Sequence, residues 1–148
     1  MKKGGIGIVN SKIDDSCLIV EPCNIYGAII GSKSFVGPFT EIQQGVKIGD
    51  SVRIQSHSFV CSGVEIGDYS FIGHGVMFIN DLFLDGGPAR GDESKYRKTS
   101  IGKYVSIGSN ATILPVSICD NVVIGAGSVV TKDITISGVY MGNPAKRK

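Results

Sequence analysis

The chain has 148 residues, the size of a single domain, and its formal net charge is +2. So mild a charge, with no basic stripe before the last three residues, argues against a nucleic-acid partner. The N-terminal segment MKKGGIGIVNSK contains no apolar run long enough for a signal peptide or a membrane span, so we expect a cytoplasmic protein without a membrane partner.

The composition favours strands and turns over helices. Glycine is frequent, at 21 residues, aromatic residues make up only 7%, and the apolar content comes largely from Ile, Val and Leu. None of the 4 cysteines forms a CxxC pair. We therefore expect free thiols and no metal site.

A six-residue repeat is the first predicted element, and it runs from Leu18 to Phe78. Every sixth residue from Leu18 onward is apolar except Asn24. Glycine follows the apolar position at Gly31, Gly37, Gly49, Gly67 and Gly73. Helices repeat at about 3.6 residues and strands at about 2, so a period of six predicts short strands and turns stacked into a solenoid, with aliphatic side chains along its axis.

Residues 79–100 interrupt the repeat and are rich in glycine and charged side chains. A loop of this length inside a compact repeat protein is usually functional or disordered. The repeat resumes at Ile101, slips by one residue at 114–116 and continues to Ile136. We therefore expect one all-β domain over residues 1–148, a parallel β-helix with one long excursion loop. The period alone does not fix its hand.

The motif of Ile, Val or Leu, then Gly, then a small residue three positions later resembles the hexapeptide-repeat acyltransferases, which are left-handed parallel β-helices. The likeness covers nearly the whole chain. Residues 118–148, which contain GAGSVVTKD and GNPAK, are similar to the coenzyme A half of that family. IQSHSFV at 54–60 and GHGVMFIND at 73–81 resemble the N-acetyltransferases that modify nucleotide-linked amino sugars for bacterial surface glycans, such as O-antigen, S-layer or capsule. Some members of the family have an N-terminal nucleotide-binding domain or a long C-terminal helix, and this sequence predicts neither.

The resemblance implies an acetyl-CoA site in the C-terminal part of the chain. The residues that stand where the family contacts coenzyme A are Ser109, Ala126, Thr131, Lys132 and Lys146. Small side chains at Ala126 and Gly127 would leave room for the pantetheine arm, although they also suit plain corner geometry. Lys132 and Lys146 would face the coenzyme's phosphates. A solvated charge run is the structural alternative for the basic tail.

The same resemblance implies a homotrimer whose active site lies between neighbouring subunits, beneath the long loop. Asn80 would lie close to the amino sugar as an orienting hydrogen-bond partner, and Asp81 and Arg90 would contact the substrate. His57 and His74 are further catalytic candidates, because a solvent-facing imidazole titrates near neutral pH and can accept a proton. A turn asparagine, surface histidines and a solvated loop are the structural alternatives.

These observations lead us to expect an acetyl-CoA-dependent N-acetyltransferase that acts on an amino sugar carried by a nucleotide, with no resident metal. O-acetylation of a sugar with a histidine base is the first alternative. A metal-binding or scaffold β-helix similar to the γ-carbonic anhydrases is the second, and it would need three histidines at a subunit interface. The sequence leaves open the sugar, the nucleotide and the length of the acyl group.

Overall fold

The computed structural model describes residue 1 and residues 5–148. Within these residues the backbone forms short β-strands, labelled β1–β21 in chain order, one turn of 3₁₀ helix at Glu93–Lys95 and no α-helix. Apart from the last two strands, consecutive strands belong to different sheets, and nearly all pairings are parallel. The chain therefore winds round one axis, with each sheet as one face of a solenoid.

Three sheets make up these faces. Sheet 1 contains Ile8–Val9 (β1), Asn24–Tyr26 (β4), Glu41–Ile42 (β7), Phe59–Val60 (β10), Met77–Phe78 (β13), Thr112–Ile113 (β16) and Val129–Val130 (β19). Sheet 2 contains Lys12–Ile13 (β2), Ile29–Ile30 (β5), Lys47–Ile48 (β8), Val64–Ile66 (β11), Thr99–Ile101 (β14) and Ser117–Ile118 (β17). Sheet 3 contains Leu18–Ile19 (β3), Phe35–Val36 (β6), Arg53–Ile54 (β9), Phe71–Ile72 (β12), Ser106–Ile107 (β15), Val122–Ile124 (β18), Gly138–Met141 (β20) and Lys146–Arg147 (β21).

The aliphatic residue of each repeat points to the axis and fills the interior. The predicted positions from Ile30 to Phe78 are all buried, and so are Ile101, Ile107 and Ile113 beyond the loop. Burying one such side chain stabilises a fold by about 1.5–3 kcal/mol, so this stack is the main source of stability. The predicted all-β parallel β-helix with one long loop is confirmed.

The predicted register is wrong at the N-terminal end of the repeat. Leu18 is 60% exposed and Asn24 lies on the outer face of sheet 1, whereas Ile19 and Ile25 pack into the core. The step from Ile25 to Ile30 is one residue shorter than the repeat, so counting backward in sixes from Ile30 reaches the wrong face. Because side chains alternate across a strand, a slip of one residue exchanges inner and outer positions.

The register also fails at the C-terminal end. Ile136 is 57% exposed, and the buried Ile134 bridges to Ile118 in its place. Beyond Ile134 the chain leaves the six-residue pattern and forms β20, a strand of 4 residues, on which β21 folds back antiparallel. The last coil therefore ends in a small hairpin that the periodicity did not predict.

Glycine at the predicted corner position is required by the next coil. A Cβ built on Gly37 would lie 2.7 Å from the Ser56 amide nitrogen, and one on Gly73 would lie 2.7 Å from the Ser109 amide nitrogen. Real Cβ atoms do not come so close to backbone, so the coils could not stack at this spacing with a larger residue. Close approach, rather than an unusual φ, explains these glycines.

The long loop leaves the solenoid after β13 and returns at β14 with its base closed. The Arg97 amide donates to the Asn80 carbonyl at 2.8 Å. β14 pairs with β11, so the stacking of coils continues past the insertion. Within the loop, Asp92 caps the 3₁₀ turn and Lys95 pairs with Asp85 at 2.7 Å. The loop is therefore an ordered element with contacts of its own.

Two buried threonines provide a matched test of the interior. The Thr99 hydroxyl has no hydrogen-bond partner among the described residues, whereas the Thr40 hydroxyl donates to the Gln55 carbonyl at 3.3 Å. We expect Thr99→Val to leave the free energy of unfolding unchanged or raise it by about 1 kcal/mol, because an unpaired buried hydroxyl is costly. Thr40→Val should lower it by about 1 kcal/mol. Unfolding at one fixed protein concentration measures both, and equal losses would contradict the assignment.

Candidate functional site

Most of the residues predicted to bind ligands or to take part in catalysis lie at two corners of the solenoid. The histidine corner joins sheet 3 to sheet 1 and comprises residues 20–23, 37–40, 55–58, 73–76, 108–111 and 125–128. The loop corner joins sheet 1 to sheet 2 and comprises residues 27–28, 43–46, 61–63, 79–98, 114–116 and 131–133. Successive coils are stacked at the strand spacing of about 4.8 Å, so equivalent corner residues form columns parallel to the axis.

The histidine corner brings the predicted histidines together with three of the predicted coenzyme A residues. The Asn110 amide donates to the His74 carbonyl at 2.8 Å, and the Gly127 amide donates to the Ser109 carbonyl at 2.9 Å. Ser109 and Ala126 therefore follow His74 in one column, each about 4.8 Å from the last. One continuous strip thus runs from an ionisable side chain to the small residues of the last coil.

The two histidines occupy different columns of this corner. His57 is exposed, and its ring centroid lies 5.0 Å from that of Phe39. His74 is also exposed, and its Nδ1 lies 3.0 Å from the Ser56 hydroxyl oxygen. A hydroxyl at this distance favours one orientation of the imidazole, which proton transfer requires. His74 is therefore the better placed of the two to act as a base.

The last coil of the histidine corner leaves space for an extended ligand. A Cβ built on Gly127 would meet no atom within 4 Å, and Ala126 is exposed. β21 places Lys146 opposite Met141, whose side chain packs beside Gly125. Lys146 therefore lies close to this open strip, where an ammonium group can meet a phosphate.

Thr131 and Lys132 lie apart from the other predicted coenzyme A residues. Both are exposed at the loop corner, directly after β19. Sheet 1 separates them from Ala126 and Gly127 within the same chain. The C-terminal motif is thus divided between two corners, and the contact of these two residues with a coenzyme stays a prediction.

Asn80 is half-buried at the loop corner and is held from below by the preceding coil. Its Nδ2 donates to the Ser62 carbonyl at 3.1 Å and to the Ser62 hydroxyl at 2.9 Å. Its Oδ1 accepts no hydrogen bond from the described part of the chain. The free polar atom of this side chain is therefore an acceptor.

Asp81 and Arg90 take different positions in the loop. Asp81 accepts from the Phe83 amide at 3.0 Å and from the Ala89 amide at 2.7 Å, using both carboxylate oxygens. Arg90 is exposed, with a φ of 54°. Asp81 therefore shapes the loop through its backbone, and a substrate contact by either residue stays a prediction.

At the loop corner, a groove runs between the long loop and the two preceding coils, at residues 43–46 and 61–63. One part is a cavity of about 280 Å³ lined by Gln44, Gly45, Ser62, Gly63, Glu93, Tyr96, Arg97 and Lys98. The adjoining part, about 240 Å³, is lined by Tyr26, Gln43, Gln44, Ser62, Gly91, Glu93 and Tyr96. This loop groove offers two cations, the Glu93 carboxylate, aromatic rings and amides, and its lining includes Ser62, which holds Asn80. Such a lining suits a ligand that carries both phosphate and a planar ring.

Sequence reasoning missed several groove residues. Ser62 precedes Asn80 by one coil, a separation of 18 residues, so aligning the coils in columns would have placed the two side by side. Glu93 and Tyr96 carried no comparable signal, because their approach to Gln44 depends on how the loop folds back over the corner. Loops without a repeat do not reveal their path in the sequence.

The structure keeps Asn80 away from the histidines within one chain. His74 and Asn80 belong to the same coil, but β13 lies between them and they stand on different corners. The loop groove and the open strip of the histidine corner are therefore separate features of one subunit. A site that used both would need two chains.

Two further findings concern the thiols and the metal-ligating side chains of the described residues. Burial raises the pKa of the Cys61 thiol to about 12, so this neighbour of Ser62 is a poor nucleophile at neutral pH. Among the residues described, no cluster of three or more His, Cys, Asp or Glu side chains is placed to hold a metal ion. The same part of the chain has no helix of sufficient length and apolarity to cross a bilayer.

Comparison with known families identifies the repeat. Residues 27–62 match the profile of the bacterial transferase hexapeptide (six repeats), and residues 98–132 match the hexapeptide repeat of succinyl-transferase. The bifunctional protein GlmU of Acidithiobacillus ferrooxidans is 30% identical over 152 aligned residues, which include 97% of this chain. The chain spans about a third of that relative's length, at 33%.

Solved structures share the fold. A hexapeptide-repeat-containing acetyltransferase of Vibrio cholerae, complexed with acetyl coenzyme A, has a TM-score of 0.68 and 26% identity, over 82% of this chain and 69% of its own. A single-residue mutant of AntD, an N-acyltransferase of Bacillus cereus, in complex with dTDP-4-amino-4,6-dideoxyglucose and coenzyme A, has a TM-score of 0.72 and 23% identity, over 94% of this chain and 82% of its own. At the identity of AntD, the likeness establishes the fold alone.

The thiols provide a test of the burial at the loop corner. Cys23 and Cys61 are buried and burial raises the pKa of each, whereas Cys17 and Cys119 are half-buried. We expect Cys61 to stay protonated, and unreactive toward a disulfide reagent, at pH 8 in the native protein. Counting reacted thiols before and after unfolding should show two at most, then all 4. Rapid native modification of Cys61, located by mass spectrometry, would contradict this burial.

Proposed function

We propose that this chain, which belongs to the hexapeptide-repeat transferase family, transfers an acetyl group from acetyl-CoA to an amino group of a nucleotide-linked sugar. The observation that carries the proposal is the loop groove, whose lining contains Arg97, Lys98 and Ser62, the residue that holds Asn80 with its Oδ1 free. From the sequence resemblance we infer a place in bacterial surface-glycan synthesis and a cytoplasmic location.

The sugar nucleotide would occupy the loop groove. Arg97 and Lys98 are exposed there and can pair with a diphosphate. Tyr96, half-buried in the same lining, offers a ring face to the base. Asn80 would then receive an N–H of the sugar amine on Oδ1. Asp81 would support this arrangement by holding the loop, and Arg90 would reach the substrate from the loop's outer side.

The acyl donor would lie along the histidine corner. Ser109, Ala126 and Gly127 provide the open strip for the pantetheine arm, and Lys146 would meet a phosphate at its end. Thr131 and Lys132, on the other side of sheet 1, would contact the donor bound to a neighbouring chain. The Vibrio cholerae relative, which carries acetyl coenzyme A, supports this assignment of the donor.

Transfer requires little covalent help from the protein. The neutral amine nitrogen attacks the thioester carbon, the C–N bond forms, the C–S bond breaks, and the amine's proton ends on the departing thiolate. Holding the amine in line with the thioester carbon supplies much of the rate acceleration, because effective molarities for aligned groups are large. His57 and His74 stand beside the donor strip, where His74 would accept a proton if a base is used.

A closed homotrimer would complete the site. On the outer face of sheet 3, Phe71, Val123 and Val139 are exposed, at 38%, 45% and 39%. Sheet 2 has one such residue, Ile29 at 48%, beside Lys47 and Glu65, which pair at 2.9 Å. We therefore infer that sheet 3 is covered by neighbouring subunits while sheet 2 faces water. The loop corner of one chain would then meet the histidine corner of the next.

Sugar O-acetylation is the second candidate. The observation that favours it is the contact of 3.0 Å between Ser56 and His74, because a hydroxyl acceptor needs a base more than an amine does. The free Oδ1 of Asn80, which can accept an N–H of an amine, supports the amine instead.

Three single changes separate the two candidates. With an amino-sugar nucleotide as acceptor, Asn80→Ala should lower kcat/KM by about tenfold or more, since it removes the hydrogen bond that orients the amine. His57→Ala and His74→Ala should each have a smaller effect. Thiol release from acetyl-CoA measures turnover, and sedimentation confirms that each variant keeps its assembly. Loss of turnover in His74→Ala beside a silent Asn80→Ala would transfer support to O-acetylation.

The trimer has its own test. Phe71→Glu puts a charge on the outer face of sheet 3, and we expect it to give monomers at micromolar concentration and to abolish turnover. Lys47→Ala on sheet 2 is the matched control, because an exposed ion pair contributes only about 0–1 kcal/mol. Sedimentation equilibrium measures the mass, and circular dichroism verifies the fold. A monomeric native protein, or an active monomeric Phe71→Glu variant, would refute the shared site.

A further inference from the structure

We infer that Ser62 is a positioning residue, which locks the Asn80 amide so that only its oxygen can meet the acceptor amine. The inference rests on the proposed function and concerns a residue to which the repeat pattern assigned no role. Ser62 contributes two acceptors, its carbonyl and its hydroxyl oxygen, at 3.1 Å and 2.9 Å from the Asn80 nitrogen.

The backbone carbonyl of Ser62 settles which way the amide faces. The two ends of an asparagine amide look alike, but a carbonyl oxygen cannot donate a hydrogen bond. The Asn80 atom that lies 3.1 Å from this carbonyl must therefore be the NH₂ group. Both of its protons are used, one on each Ser62 oxygen, so the amide is fixed by chemistry rather than by packing.

Ser62 is itself held in place by the neighbouring coil. The backbone amide of Ser62 donates to Gln43 Oε1 at 3.2 Å, and Gln43 Nε2 donates to Glu41 Oε1 at 3.0 Å. Glu41 also accepts from Asn24 Nδ2 at 3.3 Å. A series of hydrogen bonds thus connects the outer face of sheet 1 to Asn80. Each group in this series holds the next one in a fixed orientation.

This orientation suits an attacking amine. An acceptor such as Oδ1 binds one N–H of the amine and leaves its lone pair free for the thioester. A reversed amide would instead offer N–H to the lone pair and block attack. Without the Ser62 hydroxyl, the carbonyl would be the single remaining acceptor and would hold the Asn80 amide less firmly. Binding of the nucleotide would then survive while the amine would be oriented for attack less often.

A double-mutant cycle tests this route of action. Ser62→Ala should lower kcat about fivefold to tenfold, the effect of one lost hydrogen bond, with little change in KM for the sugar nucleotide. Ser62→Thr should restore kcat, and Ser100→Ala, at an exposed serine of sheet 2, is the matched control. Because Ser62 acts through Asn80, the double variant should be no slower than Asn80→Ala alone. Additive losses, or an unchanged kcat in Ser62→Ala, would overturn the inference.

A second measurement is independent of the substrate. The side-chain NH₂ protons of Asn80 should exchange with water about tenfold more slowly than those of the exposed Asn143, and Ser62→Ala should remove the difference. Equal exchange in the native protein would overturn the inference whatever the enzyme does. Slow exchange together with no turnover of any amino-sugar nucleotide would instead uphold the Ser62–Asn80 lock and reject the proposed function.

Discussion

The stacking of one coil on the next is the constraint on which the rest of the molecule depends. Backbone amides of each coil bond to carbonyls of a neighbouring coil, as Gly37 does to Ile54 and Gly73 to Ile107, both at 2.8 Å. The aliphatic side chains inside are held in register by the same ladder. A residue of a regular inner coil therefore has a fixed neighbour in the coil above and in the coil below, and function can be built in columns.

Several corner residues have a left-handed backbone conformation, with a positive φ, at the turns between stacked strands. His57 has a φ of 62°, but Phe39, Tyr69 and Tyr104 share that conformation at equivalent turn positions, with φ values of 59°, 59° and 56°. The left-handed residue at His57 is therefore a property of the corner and gives no sign of function. Buried hydroxyls complete the same turns, since Ser58 donates to the Gly73 carbonyl at 2.9 Å.

Sequence periodicity predicted the fold well where the repeat is regular and failed where its length changes. The positions from Ile30 to Phe78 are buried as predicted, but the shortened step after Ile25 displaced the assignment at Leu18. No residue type marks such a step, because aliphatic side chains occur on both faces of these strands. Prediction of the site succeeded where the repeat is regular and failed where it is not. Columns of the regular coils follow from the period, whereas the position of Glu93 in the groove lining depends on an aperiodic path.

The separation of the two corners sets what a single chain can do. Sheet 1 lies between the loop groove, with its cations and Asn80, and the histidine corner, with its open strip at Gly127. A solenoid cannot fold these faces together, since the ladder that stabilises it also keeps its corners apart. If the groove holds the acceptor and the strip holds the donor, then only a second chain can bring amine and thioester together. Assembly would then be a condition of catalysis, and the exposed apolar side chains of sheet 3 would matter for turnover as much as for stability.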